Sequence, residues 1–361
     1  MSGEKGTMKG VVLTGHGGLE RLEWREDLPI PEPGRGEVLI RVGAAAVNNT
    51  DINTRIAWYS KAVRGATDAG AAEGFQSAEN ADGGWSGTAI EFPRIQGADC
   101  CGRIVEVGQG VSRERIGERV LVRPLQTTGA GSGRLATWTF GSECDGGFAE
   151  YAKTFSRDAI AVNSDWTDIE LASIPCAYST AEGMLQRAGI KGGRLLITGA
   201  SGGVGSAAVQ LAKLRSARVV AMTSPDKAQD LRDLGADETI GRDDPLPPES
   251  FDAVIDLVGG PRWPDIIDAL ARGGRYVTAG AIAGPIVELD LRTLYLRDLT
   301  LYGTTHQTEN VFPDVVRYVE ENRIRPLIAE VFDLKDLRAA QQAFLKKTYI
   351  GKIAIRVGDG A

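Results

Sequence analysis

A chain of 361 residues with 42% hydrophobic and 25% charged side chains has the composition of a soluble globular protein and suits two lobes better than one core. A net charge of −7 offers no basic surface to follow a phosphate backbone, so nucleic acid is not an expected partner. No apolar run is long enough for a membrane span or a signal peptide, and Cys100, Cys101, Cys144 and Cys176 form no paired framework, which points to a reducing cytoplasm.

Residues 1–7 are polar and read as a frayed tail ahead of a strand at 9–13. Short β-like runs at 37–42, 102–107 and 119–122, separated by glycine and proline turns, predict a barrel-like, all-β lobe over the first part of the chain. Residues 60–92 interrupt it. They are rich in Gly and Ala, carry few large apolar groups besides Phe75, Trp85 and Phe92, and are too long for an ordinary connection. They are either a surface insertion or a lid over substrate.

From about Asp168 the pattern changes to helices alternating with strands, which specifies a parallel sheet. A helix is expected over 169–187, and then comes the most informative stretch, residues 194–227. Leu195, Leu196 and Ile197 form a short apolar run suited to a strand covered on both faces, and Gly199 ends it. In the turn Ala200-Ser201-Gly202-Gly203-Val204-Gly205, Ala200 and Gly202 lack the bulk that would hold a phosphate off the backbone. Gly205 lets the next helix lie close to the sheet. That helix starts near Gly203, with its free N–H groups and positive dipole end facing a pyrophosphate. Along it, Val204, Ala208, Leu211 and Ala212 recur at helical spacing and cover the sheet, while Gln210, Lys213 and Arg215 fall largely on other faces. A second strand at 219–222 completes a dinucleotide-binding unit.

The tip of that second strand bears on the choice of cofactor. An NAD site usually places Asp or Glu about 20 residues beyond the glycines. Here stand Thr223 and Ser224, then Lys227, groups that suit a 2′-phosphate and favour NADP(H) over NAD(H). Asp226 offers the alternative of a ribose ligand or a helix-start carboxylate. Further elements are expected at 227–234, 253–257, 264–271, 275–279 and 299–302. Helices near 313–322 and 335–346 and a strand at 352–357 return to the β lobe, with the cleft between the lobes.

These residues together resemble the medium-chain dehydrogenase/reductase superfamily, and most closely its zinc-free quinone oxidoreductase and enoyl reductase branch. The strings that carry the resemblance include Gly36-Glu37-Val38-Leu39-Ile40, Val47-Asn48-Asn49-Thr50-Asp51, Gly97-Ala98-Asp99, Gly102-Arg103-Ile104-Val105-Glu106-Val107-Gly108 and Gly117-Glu118-Arg119-Val120. Gly146-Gly147-Phe148-Ala149-Glu150-Tyr151, the glycine turn, Leu234-Gly235-Ala236-Asp237 and Gly351-Lys352-Ile353 follow in the family's order. The resemblance implies an α/β protein: a Rossmann doubly wound parallel sheet plus a GroES-like, mainly β barrel-like catalytic domain. It divides the chain into residues 1–164, 165–304 and 305–361, the last returning to the catalytic domain.

In the zinc alcohol dehydrogenases of this superfamily the three catalytic-metal positions align with Asn48, Ala98 and Cys176, and only Cys176 keeps a ligand type. The four cysteines of the structural zinc lobe are missing as well, and adjacent Cys100 and Cys101 on a strand point to opposite faces. No zinc is therefore expected. Without a Lewis acid the chemistry shifts toward acceptors that are already electrophilic, quinones and α,β-unsaturated carbonyl compounds.

The resemblance places the Asn48 amide near nicotinamide and substrate, where it would donate to a carbonyl oxygen. Tyr59 stands where related reductases carry a tyrosine that gives a proton or binds the oxygen. Thr180, Gly280, Ala281 and Lys352 match positions beside the cofactor, and Thr304, Thr305 and His306 follow the last sheet strand. Residues 299–304 resemble an edge strand that pairs with its twin in a homodimer. The expected activity is NADPH-dependent hydride transfer to a small acceptor. The alternatives are a nucleotide-binding regulator or scaffold that has kept the fold without the chemistry, and an atypical zinc alcohol dehydrogenase.

Overall fold

The computed structural model describes residues 6–75, 77–78, 80–127 and 137–358. Among these, the first part of the chain forms β1 (Thr7–Leu13), β2 (Leu22–Pro29), β3 (Glu37–Ala46), helix α1 (Asn49–Arg55), β4 (Arg94–Ile95), β5 (Cys101–Val107) and β6 (Arg119–Val122). There follow β7 (Leu125–Thr127), β8 (Thr137–Thr139), β9 (Tyr151–Phe155) and β10 (Ala159–Ala161). The tail expected over residues 1–7 lies outside the described residues as far as residue 5. Thr7 already belongs to β1, opposite Pro29.

Strand β3 organises this lobe. Val38, Ile40 and Val42 alternate inward with period two and meet Cys100, Ile104, Val120 and Val122 in one apolar cluster. Cys101 faces away from it into a second cluster with Leu121, Leu171 and Ile174, so the two adjacent cysteines do serve opposite faces.

The middle of the chain gives α2 (Asp168–Ala172), α3 (Pro175–Arg187), β11 (Arg194–Ile197), α4 (Gly203–Lys213), β12 (Arg218–Met222), α5 (Ala228–Asp233), β13 (Glu238–Ile240) and β14 (Phe251–Asp256). It continues with α6 (Trp263–Asp268), β15 (Leu270–Thr278), α7 (Leu291–Leu296) and β16 (Thr300–Gly303). Six parallel strands run in the order β13-β12-β11-β14-β15-β16. Chain direction across the sheet reverses between β11 and β14, which opens a crevice at their carboxyl ends.

After α8 (Val311–Glu320), β17 (Ile328–Asp333) and α9 (Leu337–Lys346), the last strand, β18 (Lys352–Arg356), lies between β17 and β3 in the mixed sheet β10-β6-β5-β3-β18-β17. Ala354 of β18 sits opposite Ala46 of β3. This crossing carries the end of the chain back to the residues that follow β3.

Two local readings change. The helix expected over 169–187 is two helices, because Pro175 has no N–H to continue the first and instead starts the second. Gln210, placed on a face other than the one that covers the sheet, is buried there: its amide donates to the Tyr178 hydroxyl (2.8 Å) and the Arg325 carbonyl (3.1 Å), while its oxygen accepts the Arg325 N–H (2.9 Å). Helix α4 is covered on that side too, and the polar group tolerates burial because every partner is present.

Residues 60–92 contain two single 3₁₀ turns, Thr67–Gly70 and Asn80–Asp82, and no strand among the described residues. They are tied down. The Thr67 N–H donates to the Ile282 carbonyl (2.9 Å), its hydroxyl donates to Asn53 (3.1 Å), and the Trp58 indole donates to the Gly65 carbonyl (3.0 Å). The first of these bonds crosses from the β lobe to the loop after β15.

The glycine turn needs its glycines for contact reasons. Gly199 adopts φ +59°, and a Cβ on Gly205 would stand 2.6 Å from the Ala200 Cα and closer still to the Gly199 carbonyl oxygen. Both obstacles are backbone. Gly205→Ala is therefore expected to destabilise the fold by about 1–3 kcal/mol, as overpacking does. Urea denaturation measures it, and an unchanged midpoint would contradict this packing account.

Candidate active site

At the carboxyl ends of β11, β14, β15 and β16 the lobes enclose a cavity of about 790 Å³. The Rossmann side contributes Gly199, the start of α4, Leu257, Gly280, Ala281 and Thr304. The β lobe contributes Asn48, Thr50, Tyr59 and Lys352, the start of α3 contributes Cys176, and Trp85, Ser86 and Thr88 of the 60–92 segment close another wall. The segment thus lines the cavity, where composition alone left a surface insertion and a lid over substrate both open.

Most of the residues expected to act together meet here: Asn48, Tyr59, Thr180, Gly202, Gly203, Val204, Gly205, Gly280, Ala281 and Lys352 all face the cavity. Four do not line it. The Ala200 methyl turns into the core beneath α4, and the Ser201 carbonyl accepts the Gly351 N–H (3.1 Å). Ser224 lies half-buried beyond β12, and the Lys227 ammonium is taken up by the Lys347 carbonyl. Lys347, which the sequence did not single out, does line the cavity. Its ammonium lies 3.4 Å from the Phe344 ring centre and donates to the Asn49 side chain (3.4 Å).

The crevice fits a dinucleotide. Gly202 caps α4 with no side chain of its own on the helix's free N–H groups, so the positive end of an eleven-residue helix opens into the cavity.

At the cavity floor the polar groups form one network. The Asp99 carboxylate, wholly buried, accepts from the Asn48 amide (2.7 Å), the Lys352 ammonium (2.8 Å) and the Cys176 backbone N–H (2.6 Å). Lys352, 3% exposed, also donates to the Asn48 side-chain oxygen. The second amide proton of Asn48 goes to the Ala46 carbonyl (3.2 Å). The expectation that this amide donates to a substrate carbonyl is thus at odds with the geometry, since both of its protons already have internal acceptors. In the sequence Asp99 stands out only within the Gly97-Ala98-Asp99 string, and Lys352 only as a cofactor neighbour. Their ion pair links residues 253 apart.

This donor set does not fit a catalytic zinc. Of the three aligned positions, Asn48 offers an amide already bonded to an ammonium, Ala98 offers a methyl group, and only Cys176 offers a side chain of ligand type, one where a catalytic zinc needs three. The histidines, His16 and His306, are not among the residues lining this cavity.

Tyr59 donates from its hydroxyl to Thr50 (3.1 Å) and stands edge-on to Trp58. Burial raises its pKa, so the phenol carries a proton throughout the physiological range.

Comparison with known proteins agrees with this architecture. Residues 34–164 match the family model for the alcohol dehydrogenase GroES-like domain, and residues 203–321 match that for zinc-binding dehydrogenase. The chain is 28% identical to acryloyl-coenzyme A reductase of Metallosphaera sedula over 96% of its own length and 99% of that protein's. It superposes with TM-score 0.86 on a chain from Sinorhizobium meliloti 1021 provisionally assigned as an alcohol dehydrogenase, at 42% identity, covering 99% and 98% of the two chains. It also superposes on the cobalt- and zinc-bound thermostable alcohol dehydrogenase of Pyrobaculum aerophilum with TM-score 0.80 at 32% identity, covering 97% and 100%.

Asp51 supports the site from behind. Its carboxylate accepts the N–H groups of Asn48 (2.7 Å), Gly97 (3.2 Å) and Ala98 (3.3 Å), which fixes the start of α1 against the loop carrying Asp99. Burial nevertheless pushes its pKa up to about 7, with Asp99 adding to the rise and the Asn48 N–H and Lys352 opposing it. A carboxyl whose folded pKa is raised binds more protons folded than unfolded. Its contribution is complete below the unfolded value near 4 and is lost as pH rises through about 7. The stability of wild type minus that of Asp51→Asn should therefore fall between about pH 4 and 7, by at most about 1.4 kcal/mol per unit. Denaturant titrations across that range measure it, and a difference that rises with pH would contradict the assignment.

Proposed function

Because the chain belongs to the medium-chain dehydrogenase/reductase superfamily, and is therefore a nicotinamide-dependent oxidoreductase, we propose that it reduces quinones or α,β-unsaturated carbonyl compounds with NADPH and without catalytic zinc. The observation that carries this reading is the floor of the cavity. An amide, a methyl group and a single thiol stand at the metal-ligand positions, with a lysine ammonium bonded to the amide. Such a floor cannot polarise an alcohol as a metal does, whereas a conjugated acceptor needs only its developing oxyanion stabilised.

Bound nicotinamide supplies a hydride at its C4. The glycine turn and the start of α4 would hold its pyrophosphate, and Thr180, Gly280 and Ala281, which line the same cavity, would stand toward its reacting end. Tyr59 keeps its proton and can give it to the product carbon or oxygen, with Thr50 orienting the hydroxyl. Asn48 acts by holding Lys352 and Asp99 in place. Trp85 and Thr88 bound the acceptor and help exclude water. The name of the M. sedula relative, a reductase of a conjugated acyl thioester, supports the same class of acceptor.

NADP(H) is favoured because hydroxyl groups, Thr223 and Ser224, follow β12 where an NAD site carries a carboxylate. The chain would act as a cytoplasmic homodimer. The free edge of β16 and the exposed apolar side chains of Leu291, Tyr295 and Leu296 beside it support pairing with a second copy.

The purified protein is expected to oxidise NADPH in the presence of a benzoquinone or of 2-hexenal, unaffected by EDTA, and to leave simple alcohols untouched when given NADP⁺. Tyr59→Phe should lower kcat by about 10²-fold, in line with the loss of a general acid. Alcohol oxidation abolished by chelation would establish a zinc alcohol dehydrogenase instead. Tight cofactor binding with no turnover across the panel would favour a regulator or scaffold.

A further inference from the structure

We infer that the Lys352 ammonium is the electrophile of this cleft, the group that takes up the negative charge developing on the acceptor's oxygen. The inference rests on the reductase reading above.

The geometry is that of a cation fixed before any substrate arrives. Nζ carries three protons, of which one goes to Asp99 (2.8 Å) and one to the Asn48 oxygen, while the residue itself lines the cavity. One N–H is left for a substrate oxygen. Asp99 divides its charge among three donors, Lys352, the Asn48 amide and the Cys176 N–H, so it holds the ammonium without fully offsetting it. Asn48 cannot do the job itself without giving up one of its two internal acceptors.

The backbone is shaped around this side chain. A Cβ on Gly203 would come within 2.7 Å of the Lys352 Cδ, so a larger residue at the start of α4 would displace the lysine stem. Lys352 starts β18, and the Gly351 N–H on the Ser201 carbonyl (3.1 Å) pins that strand end to the cofactor turn. One sheet end thereby sets the distance between cation and cofactor. A preoriented charge in a water-poor site needs no reorganisation at the moment of reaction.

The step balances as follows. The β-carbon of the acceptor receives a hydride with its electron pair, and the π pair moves onto the carbonyl oxygen. The resulting enolate pairs with the Lys352 ammonium, which keeps its proton. The α-carbon then takes a proton from Tyr59 or water. The sum is enone, reduced cofactor and one proton going to saturated ketone and oxidised cofactor.

Lys352→Met leaves Asp99 buried without its cation, so the test also uses Asp99→Asn/Lys352→Met, which removes the pair together. With 2-hexenal, kcat is expected to fall about 10²–10³-fold in both variants, as on removal of an oxyanion donor, with NADPH affinity by nicotinamide fluorescence unchanged. With NADP⁺ present, 4-nitrophenol bound to wild type should ionise at a lower pH than in buffer, and that shift should vanish in both variants. Wild-type turnover in the double variant, a loss of NADPH affinity that accounts for the loss of rate, or identical nitrophenol ionisation in wild type and double variant would each overturn the assignment. If wild type reduces no conjugated acceptor, the reductase reading fails, and the nitrophenol titration still decides for or against Lys352.

Discussion

A single buried ion pair ties the molecule together at its centre. Asp99 stands just ahead of β5, Lys352 opens β18, Asn48 leads into α1, and Cys176 lies in the first turn of α3. A carboxylate with no exposed surface is tolerable only with its partners in place, and each of those partners comes from a different element. The return of the chain's end to the first lobe, beside β3, is therefore a requirement of the site as well as a feature of topology.

The pair also explains how a fold shared with metal-bound alcohol dehydrogenases can carry different chemistry. A divalent metal and an ammonium both stabilise negative charge, but only the metal binds an alcohol and lowers its pKa. On the proposed reading, an ammonium in that neighbourhood shifts the demand to the substrate, which would have to arrive with an electrophilic carbon. Fold alone would not separate the two cases; the side chains on the cavity floor do.

Much of this was legible in the chain. The alternation of apolar strand, glycine turn and helix at 194–213 predicts the cofactor crevice because each step is local: burial on both faces of β11, a glycine at positive φ, and free N–H groups at the start of α4. What was hidden depends on distance or on competition. Asp99 and Lys352 were visible in their strings, yet nothing local says that residues 253 apart will meet. Helical spacing put Gln210 on another face than the sheet-covering one but does not say what covers that face, and α4 is covered on both. Ala200 and Lys227 look like cofactor neighbours by position, and position alone does not say that the Ala200 methyl packs in the core or that the Lys227 ammonium bonds to the Lys347 carbonyl. The 60–92 segment has no periodicity to read, and its place on the cavity wall is set by single hydrogen bonds such as Thr67 to Ile282.

The account is tested most directly by a crystal structure with NADP⁺ bound, from protein grown in zinc-rich medium and measured at the zinc absorption edge. It predicts no zinc at the cavity floor, the Lys352 ammonium still bonded to Asp99 and Asn48, and the nicotinamide C4 facing the space between Lys352 and Tyr59. An anomalous peak between Asp99 and Cys176, with the lysine swung away, would contradict it.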